Sequence, residues 1–345
     1  MLPSTVRTKI FLLFERLGLV WAVVALAVVV LLSSAASSSW AAAARTKIIV
    51  VVPHRILFTV ALPVYVAQEK GFYRDANIEV DAVFTRGGGE NVQAVVSGDA
   101  QIGLGTGTLA VISAFVKKAP IKIAAAEITG MDAFWYVQAN TPIRKLEDLA
   151  GKKVAYSRPG ASSHMAVLGI AEQIKAKGLK PAEPVSLGGI PEVYTAVRTG
   201  QADAGWSVAP FQLDRVEKGE LRVVVKGDEI VSMRDQTARV HFTNNDFAAK
   251  NPAAVRGFFR AQERALDFMF ANKEETAKIW IRRAELKFPQ SAVLATWDYY
   301  NRASMNLKPI RGLQAIIEDG LRNKFLNAPL TKAELDALID LSFLP

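Results

Sequence analysis

An α/β fold built as two units, with a helical C-terminal region, is predicted for this chain on three observations. Strand-like runs alternate with amphipathic stretches twice over, from Lys47 to Ala126 and again from Lys153 to Lys226. An apolar stretch, Phe134–Gln138, leaves the first series, and Val240–Thr243 has the composition of a strand that returns to it. From Asn251-Pro252 onward the pattern is helical almost to the end. Alternation of strand and helix argues for parallel βαβ units.

The elements follow in order. Lys47–Val52 (KIIVVV) is a short β-branched run, read as a buried strand that Pro53 ends. A loop from His54 to Thr59 leads to an amphipathic stretch, Leu62–Lys70, stopped by Gly71. Ile78–Phe84 alternates as a strand, Thr85–Gly89 turns, and Glu90–Ser97 is a helix stopped by Gly98. Gln101–Leu104 is a third strand ending at Gly105-Thr106-Gly107, followed by a helix over Leu109–Val116 and a strand over Ile121–Ala126. In the second series, Leu146–Leu149 is a short helix and Lys153–Tyr156 a strand. Pro159–His164 opens a helix to about Lys177, and Val185–Leu187 is a strand. Pro191 suits the first turn of the next helix, which ends at Gly200, before strands at Ala202–Trp206 and Val223–Lys226. Phe258, Phe259, Ala265, Leu266, Phe268, Met269 and Phe270 of the C-terminal helices are read as core packing.

The first 44 residues have a different character. Arg7, Lys9 and Arg16 make a basic start, Leu19–Leu32 is an unbroken apolar run, and small residues follow up to Arg45. That order is expected of a secretory signal peptide cleaved after Ala44. A kept membrane anchor is the alternative, but a spanning helix wants about 20 apolar residues, and this run is shorter.

The chain has no cysteine, which excludes disulfides, a thiolate metal site and a cysteine nucleophile. An exported protein without disulfides needs a large core, and the roughly 300 residues beyond the leader suffice for one. Net charge is +9; three basic residues against Glu15 give the leader +2, leaving +7. Lys and Arg are dispersed among acids with no dense basic run, so nucleic-acid binding is not expected. The charge serves solubility or a bias toward anionic ligands.

Four blocks now stand out in order. They are Pro63–Tyr73 (PVYVAQEKGFY) followed by Ile78-Glu79-Val80, then Val95–Gly103 (VVSGDAQIG), Leu146–Val154 (LEDLAGKKV) and Ala196–Ala204 (AVRTGQADA). Together they resemble the substrate-binding proteins of ABC importers, in the nitrate/sulfonate/taurine and thiamine-precursor class. The resemblance covers about 45 to 250 well and the C-terminal helices loosely. It implies a two-lobed periplasmic binding protein, type II-like, with the lobes joined by two crossover strands and ligand in the cleft. Lobe 1 would be 45–137 plus 240–345, and lobe 2 would be 138–239.

Open parallel sheets bind ligands beyond the carboxyl ends of their strands. In the first unit this rule selects His54, Phe58, Thr59, Gly87, Gly88, Thr106 and Gly107. In the second it selects Ser157, Gly160, Ala161, Ser162, Ser163, His164 and Trp206. A helix start presents free N–H groups and partial positive charge, so Gly160–His164 suits a carboxylate, sulfonate or phosphate. Ser162 alternatively only caps its helix. Trp206 would stack on a flat ligand or wall off an apolar tail. Trp135 does the same or packs in the core. His241 and Asp203 read as structural residues, and Arg86 and Arg158 as groups that draw an anion to the cleft mouth.

The expected function is therefore the periplasmic solute-binding component of an ABC import system. It would capture a small organic or inorganic anion of sulfonate, taurine or nitrate type and deliver it to a permease and its ATPase. A flat heterocycle, such as a pyrimidine thiamine precursor or a flavin, is the alternative ligand. An enzyme on the same fold is a further reading, against which stand the absent cysteines and the absence of HExxH, G-x-S-x-G and Walker motifs. The stretch GLGTGT at 103–108 is not GxGxxG. Presentation of ligand to a membrane receptor has the same sequence features as import. No cofactor or metal is expected, no nucleic acid, no membrane contact except through the permease, and a monomer.

Overall fold

The computed structural model describes residues 45–345, and the expected leader lies outside the described residues. Strand β1 (Thr46–Pro53) lies inside the first unit's sheet because its β-branched residues pack on both faces: Ile48, Val50 and Val52 are wholly buried on one, and Val51 is buried on the other. Helix α1 (Ala61–Glu69) follows, then β2 (Ile78–Thr85), α2 (Gly88–Ser97), β3 (Ile102–Gly107), α3 (Thr108–Val116) and β4 (Ile121–Thr129). Strand β1 pairs in parallel with β2 and with β3. The third strand, expected over Gln101–Leu104 and ending at Gly105-Thr106-Gly107, includes those three residues. The ladder to the return strand pairs Thr106 with Val240 and Gly107 with Arg239, with an irregularity next to Gly105, whose φ is +56°.

Strand β5 (Phe134–Gln138) leads into the second unit, with β6 (Lys153–Tyr156), α4 (Ser162–Ala176), β7 (Glu183–Ser186), α5 (Ile190–Arg198), β8 (Gly205–Ser207) and β9 (Leu221–Lys226). Strand β10 (Thr237–Asn244) then completes the first sheet, in the order β2-β1-β3-β10-β4. The second unit holds a sheet β8-β5-β9 and a parallel pair β6-β7. A bridge from Val154 to Ala204 and the hydrogen bond from Ala155 N–H to Ala204 O, 2.9 Å, join the two. The expectation of purely parallel pairing fails at the two crossing strands: β5 and β10 are antiparallel to their neighbours. Each comes across from the other unit and so enters its sheet from the opposite end.

The C-terminal helices α6 (Pro252–Ala271), α7 (Lys273–Ala284), α8 (Leu313–Arg322) and α9 (Lys332–Leu338) belong with the first unit. Helix α6 turns Val255, Phe258, Phe259 and Met269 inward, all wholly buried, and Phe258 stacks on Tyr73 at 5.6 Å. Burial of side chains this size stabilises by about 1.5–3 kcal/mol each. Ile339 bridges to Ile123, so the chain end is fastened to the edge strand β4. Among the described residues no helix is long and apolar enough to cross a membrane.

Candidate functional site

A cavity of about 320 Å³ lies beyond the carboxyl ends of β1, β2, β3 and β6, lined from both units. Larger hollows of about 440 and 860 Å³ lie elsewhere, the second bounded by Phe270–Glu275 and Lys278. The smaller one gathers strand ends and two helix starts, the place where open α/β sheets bind ligands. Its volume is at the low end for a ligand site.

Two helix starts face it. The N-cap of α2 is Gly87, at φ +152°, a conformation open to glycine and strained for other residues. Glu90 and Asn91 N–H close onto Gly87 O at 3.1 and 3.3 Å, while the N–H groups of Gly88 and Gly89 precede any helical acceptor. Asn91 fixes this start from below: it is fully buried and donates to Leu104 O at 2.9 Å and Val51 O at 3.3 Å. The N-cap of α4 is Ala161, in extended conformation, with no side-chain cap. Ser162 therefore does not cap the helix. Ser163 Oγ lies 2.8 Å from Ser157 Oγ and accepts from Ser157 N–H at 3.1 Å, which ties down the loop before the helix. His164 and Met165 N–H reach Ala161 O, and the N–H groups of Ser162 and Ser163, two residues that line the cavity, precede any helical acceptor. Gly107 is the point of close approach, since a Cβ there would sit 3.1 Å from Ser162 N.

Of the residues selected from the sequence, His54, Thr59, Gly87, Gly88, Gly107, Ser157, Ala161, Ser162, Ser163 and Trp206 line this one cavity. The other five stand outside its wall. Phe58 is wholly buried among Phe270, Trp280, Trp297 and Tyr300 and stacks on Tyr300 at 4.4 Å. Trp135 is wholly buried and donates to Ala155 O at 3.1 Å, so it packs in the core. Thr106 is fully buried beneath Gly88. Gly160 N–H is turned to His164 Nδ1 at 3.2 Å, and His164 stacks on Tyr156 at 4.0 Å. In each case a neighbouring element takes up the side chain or N–H, which spacing along the chain does not reveal.

The sequence reasoning missed several wall residues, chiefly Leu57, Ala110, Met131, Asp132, Val208 and Arg239. Arg239 lies on β10 and donates to Glu127 of β4 at 2.5 Å and to both oxygens of Asp132 at 2.8 Å. The signal was present: one Arg in an apolar strand and one Glu in another (AAAEIT) need each other, because unpaired buried charge is costly.

The electrostatics follow from burial. Burial pulls the Arg239 guanidinium down, but Asp132 and Glu127 outweigh it and hold it well above its ordinary value. Burial pushes the Glu127 carboxyl up, against the pull of Arg239. His54 is lowered by burial, opposed by Glu192 and Glu90, so it is neutral near pH 7. His241, behind the wall, accepts from Gly105 N–H at 3.2 Å, and burial with the nearby Arg239 lowers it to about 3. At the rim, Arg86 and Arg158 both reach Glu90, at 2.9 and 3.5 Å. Among the described residues no group of His, Cys, Asp and Glu is arranged to hold a metal ion.

Comparison with known proteins agrees with this architecture. The chain is 28% identical over 231 residues to the taurine-binding periplasmic protein of Escherichia coli (strain K12), covering 66% of this chain and 68% of that one. It is 22% identical over 225 residues to a 4-amino-5-hydroxymethyl-2-methylpyrimidine phosphate synthase of Candida albicans (strain WO-1), covering 62% of this chain and 65% of that one. It thus spans about two thirds of the length of these relatives. The crystal structure of the periplasmic aliphatic sulphonate binding protein SsuA from Escherichia coli superposes with a TM-score of 0.67 at 20% identity, over 85% of this chain and 97% of that one. The fold is that of the two-lobed periplasmic binding proteins. The sequence profile described as NMT1/THI5 like matches residues 59–276, well over half of the chain, and the chain belongs to the NMT1/THI5-like family.

Proposed function

We propose that this protein is the solute-binding component of an ABC import system, exported to the periplasm, and that it holds a small organic oxyanion in the cavity at Gly87–Gly89 and Ser157–Ser163. One observation carries the reading: two helix starts with free N–H groups converge on a single small cavity whose rim carries Arg86 and Arg158. Backbone N–H groups at a helix start bind an oxyanion without a dedicated cation. Leu57, Ala110, Met131, Trp206 and Val208 give the rest of the wall an apolar lining that suits a short tail. Transport-type relatives support the role. We take lobe 1 to be 45–137 with 240–345, and lobe 2 to be 138–239, closing on the solute.

A flat pyrimidine is the second reading. It is favoured by Trp206 in the wall and by relatives named as pyrimidine phosphate synthases. Binding without turnover is our reading against that of an enzyme. Calorimetric titration with alkanesulfonates, carboxylates, nitrate, sulfate and a hydroxymethylpyrimidine tests this. Saturable one-to-one binding of a sulfonate or carboxylate supports it; binding of the pyrimidine alone transfers the protein to the second reading. Consumption of any bound compound would make it an enzyme.

A further inference from the structure

We propose that Met131 is the residue that sets how long a tail the solute carries: it is a flexible partition between the cavity and a second hollow, which receives a tail once the partition gives way. This rests on the anion-binding reading above. The observation is a wall shared by two spaces. Met131 and Asp132 line the cavity of about 320 Å³, and they also line a hollow of about 590 Å³. Phe134, Val223 and Gly227 bound that hollow from the second unit, and Ala295 and Tyr299 bound it from the C-terminal region.

One part of this wall is free to yield. Asp132 is pinned, since both of its oxygens accept from Arg239 at 2.8 Å. The backbone beside it is pinned as well: a Cβ on Gly227 would collide with Met131 O, and Gly130 N–H donates to Gln236 O at 2.9 Å. The Met131 side chain is buried and held by apolar packing alone, and an unbranched thioether repacks at little cost. The solute's head is close by. Gly107 lies against Ser162 N, and its ladder partner Arg239 is the residue that holds Asp132. A tail that begins at the helix starts therefore meets Met131 within a short chain. Beyond it, Tyr299 is 45% exposed and offers an aromatic surface for a tail to cover. Lys226, Asp228 and Asp298 line the same hollow, so each methylene gains less there than in the cavity.

The test is calorimetric titration of the full chain, expressed and purified, with ethane-, butane-, hexane- and octanesulfonate and with the straight-chain carboxylates from propionate to nonanoate. In the unaltered protein the affinity of the better series should climb by up to about fourfold for each methylene buried, pass a maximum, and fall before the longest member. Met131→Ala should move the maximum to a longer chain and raise the ratio of longest to shortest affinity by at least about tenfold, the worth of two methylenes. Met131→Phe should move the maximum to a shorter chain. Tyr299→Ala, on the far side of the partition, should leave the shortest member unchanged and cut back the gain that Met131→Ala gives the longest. Melting curves establish that each variant is folded, and the profile of the unaltered protein needs none of them. An affinity that climbs without a break to the longest member of the unaltered protein's series overturns the partition. One maximum shared by the unaltered protein and both Met131 variants overturns it too, and a shift indifferent to Tyr299 overturns passage into the hollow. All three leave the anion-binding reading standing. Binding of no member of either series overturns both.

Discussion

Arg239 and His241 sit two residues apart on β10 and face opposite electrostatic demands. Removing the guanidinium leaves the nearly buried carboxylates of Glu127 and Asp132 without their cation. Arg239→Met should cost about 3–5 kcal/mol, the range for breaking a buried ion pair from one side, read by urea unfolding at pH 7. A loss under about 1 kcal/mol would mean that the carboxylates are already neutral. His241 is held neutral, with a folded-state value of about 3 against about 6.5 unfolded. Its value is depressed on folding, so its contribution is fully present above about pH 6.5 and is lost as pH falls toward the folded value. The slope is about 1.4 kcal/mol per pH unit. Glu127 acts in the opposite sense, its raised value making stability fall as pH rises. Comparing His241→Asn with the unaltered protein cancels that common term. The variant should lose less stability between pH 6.5 and 5 by about 2 kcal/mol; parallel pH profiles would refute the assignment. Sequence alone marked His241 as structural, because a lone histidine in an apolar strand has few other roles. It did not join Arg239 to Glu127, since the pairing runs across a ladder between residues 112 apart.

The two helix starts are made by different means, and only one was legible. At α2 the run Thr85–Gly89 announced a turn into a helix. What fixes that turn is Asn91, whose amide reaches the carbonyls of two strands. Asn91→Ala leaves those buried acceptors without a donor and should cost about 1–3 kcal/mol in unfolding free energy. It should also weaken solute binding, since the Gly88 and Gly89 N–H groups lose their support. A stability loss with unchanged affinity would detach the α2 start from the site. At α4 the sequence placed the helix opening within Pro159–His164 and offered Ser162 as its cap. The cap is instead Ala161, and it is Ser163 that braces the loop through Ser157. Two adjacent serines look alike in a sequence; both line the cavity, and their roles separate only once the helix phase sets Ser163 against Ser157.

The two crossing strands were legible because each is an apolar run standing apart from the local strand–helix rhythm. The contacts that draw the units together were not, since they join charged residues remote in sequence. On the division we propose, Arg158 of lobe 2 reaches Glu90 of lobe 1 at 3.5 Å, and Arg322 of lobe 1 donates to both oxygens of Glu172 in lobe 2 at 2.8 and 3.0 Å. Both pairs are about half exposed on the arginine side, so each is weak alone and screened by salt. Weak contacts suit a protein that must open to load and unload. They bias the free protein toward closure without locking it, and the apparent affinity scales with the closed fraction they sustain. Removing the Glu172–Arg322 pair with alanine at both positions should therefore raise the radius of gyration of the free protein in solution scattering. The ligand-saturated value should stay the same, because bound solute closes the cleft by itself. The dissociation constant should rise by roughly two- to fivefold, in proportion to the lost closed population. High salt should do the same to the unaltered protein and less to the double variant, which keeps the Arg158–Glu90 contact. An unchanged free radius with unchanged affinity would show that these pairs decorate the rim without governing closure, and that the apolar wall alone brings the lobes together.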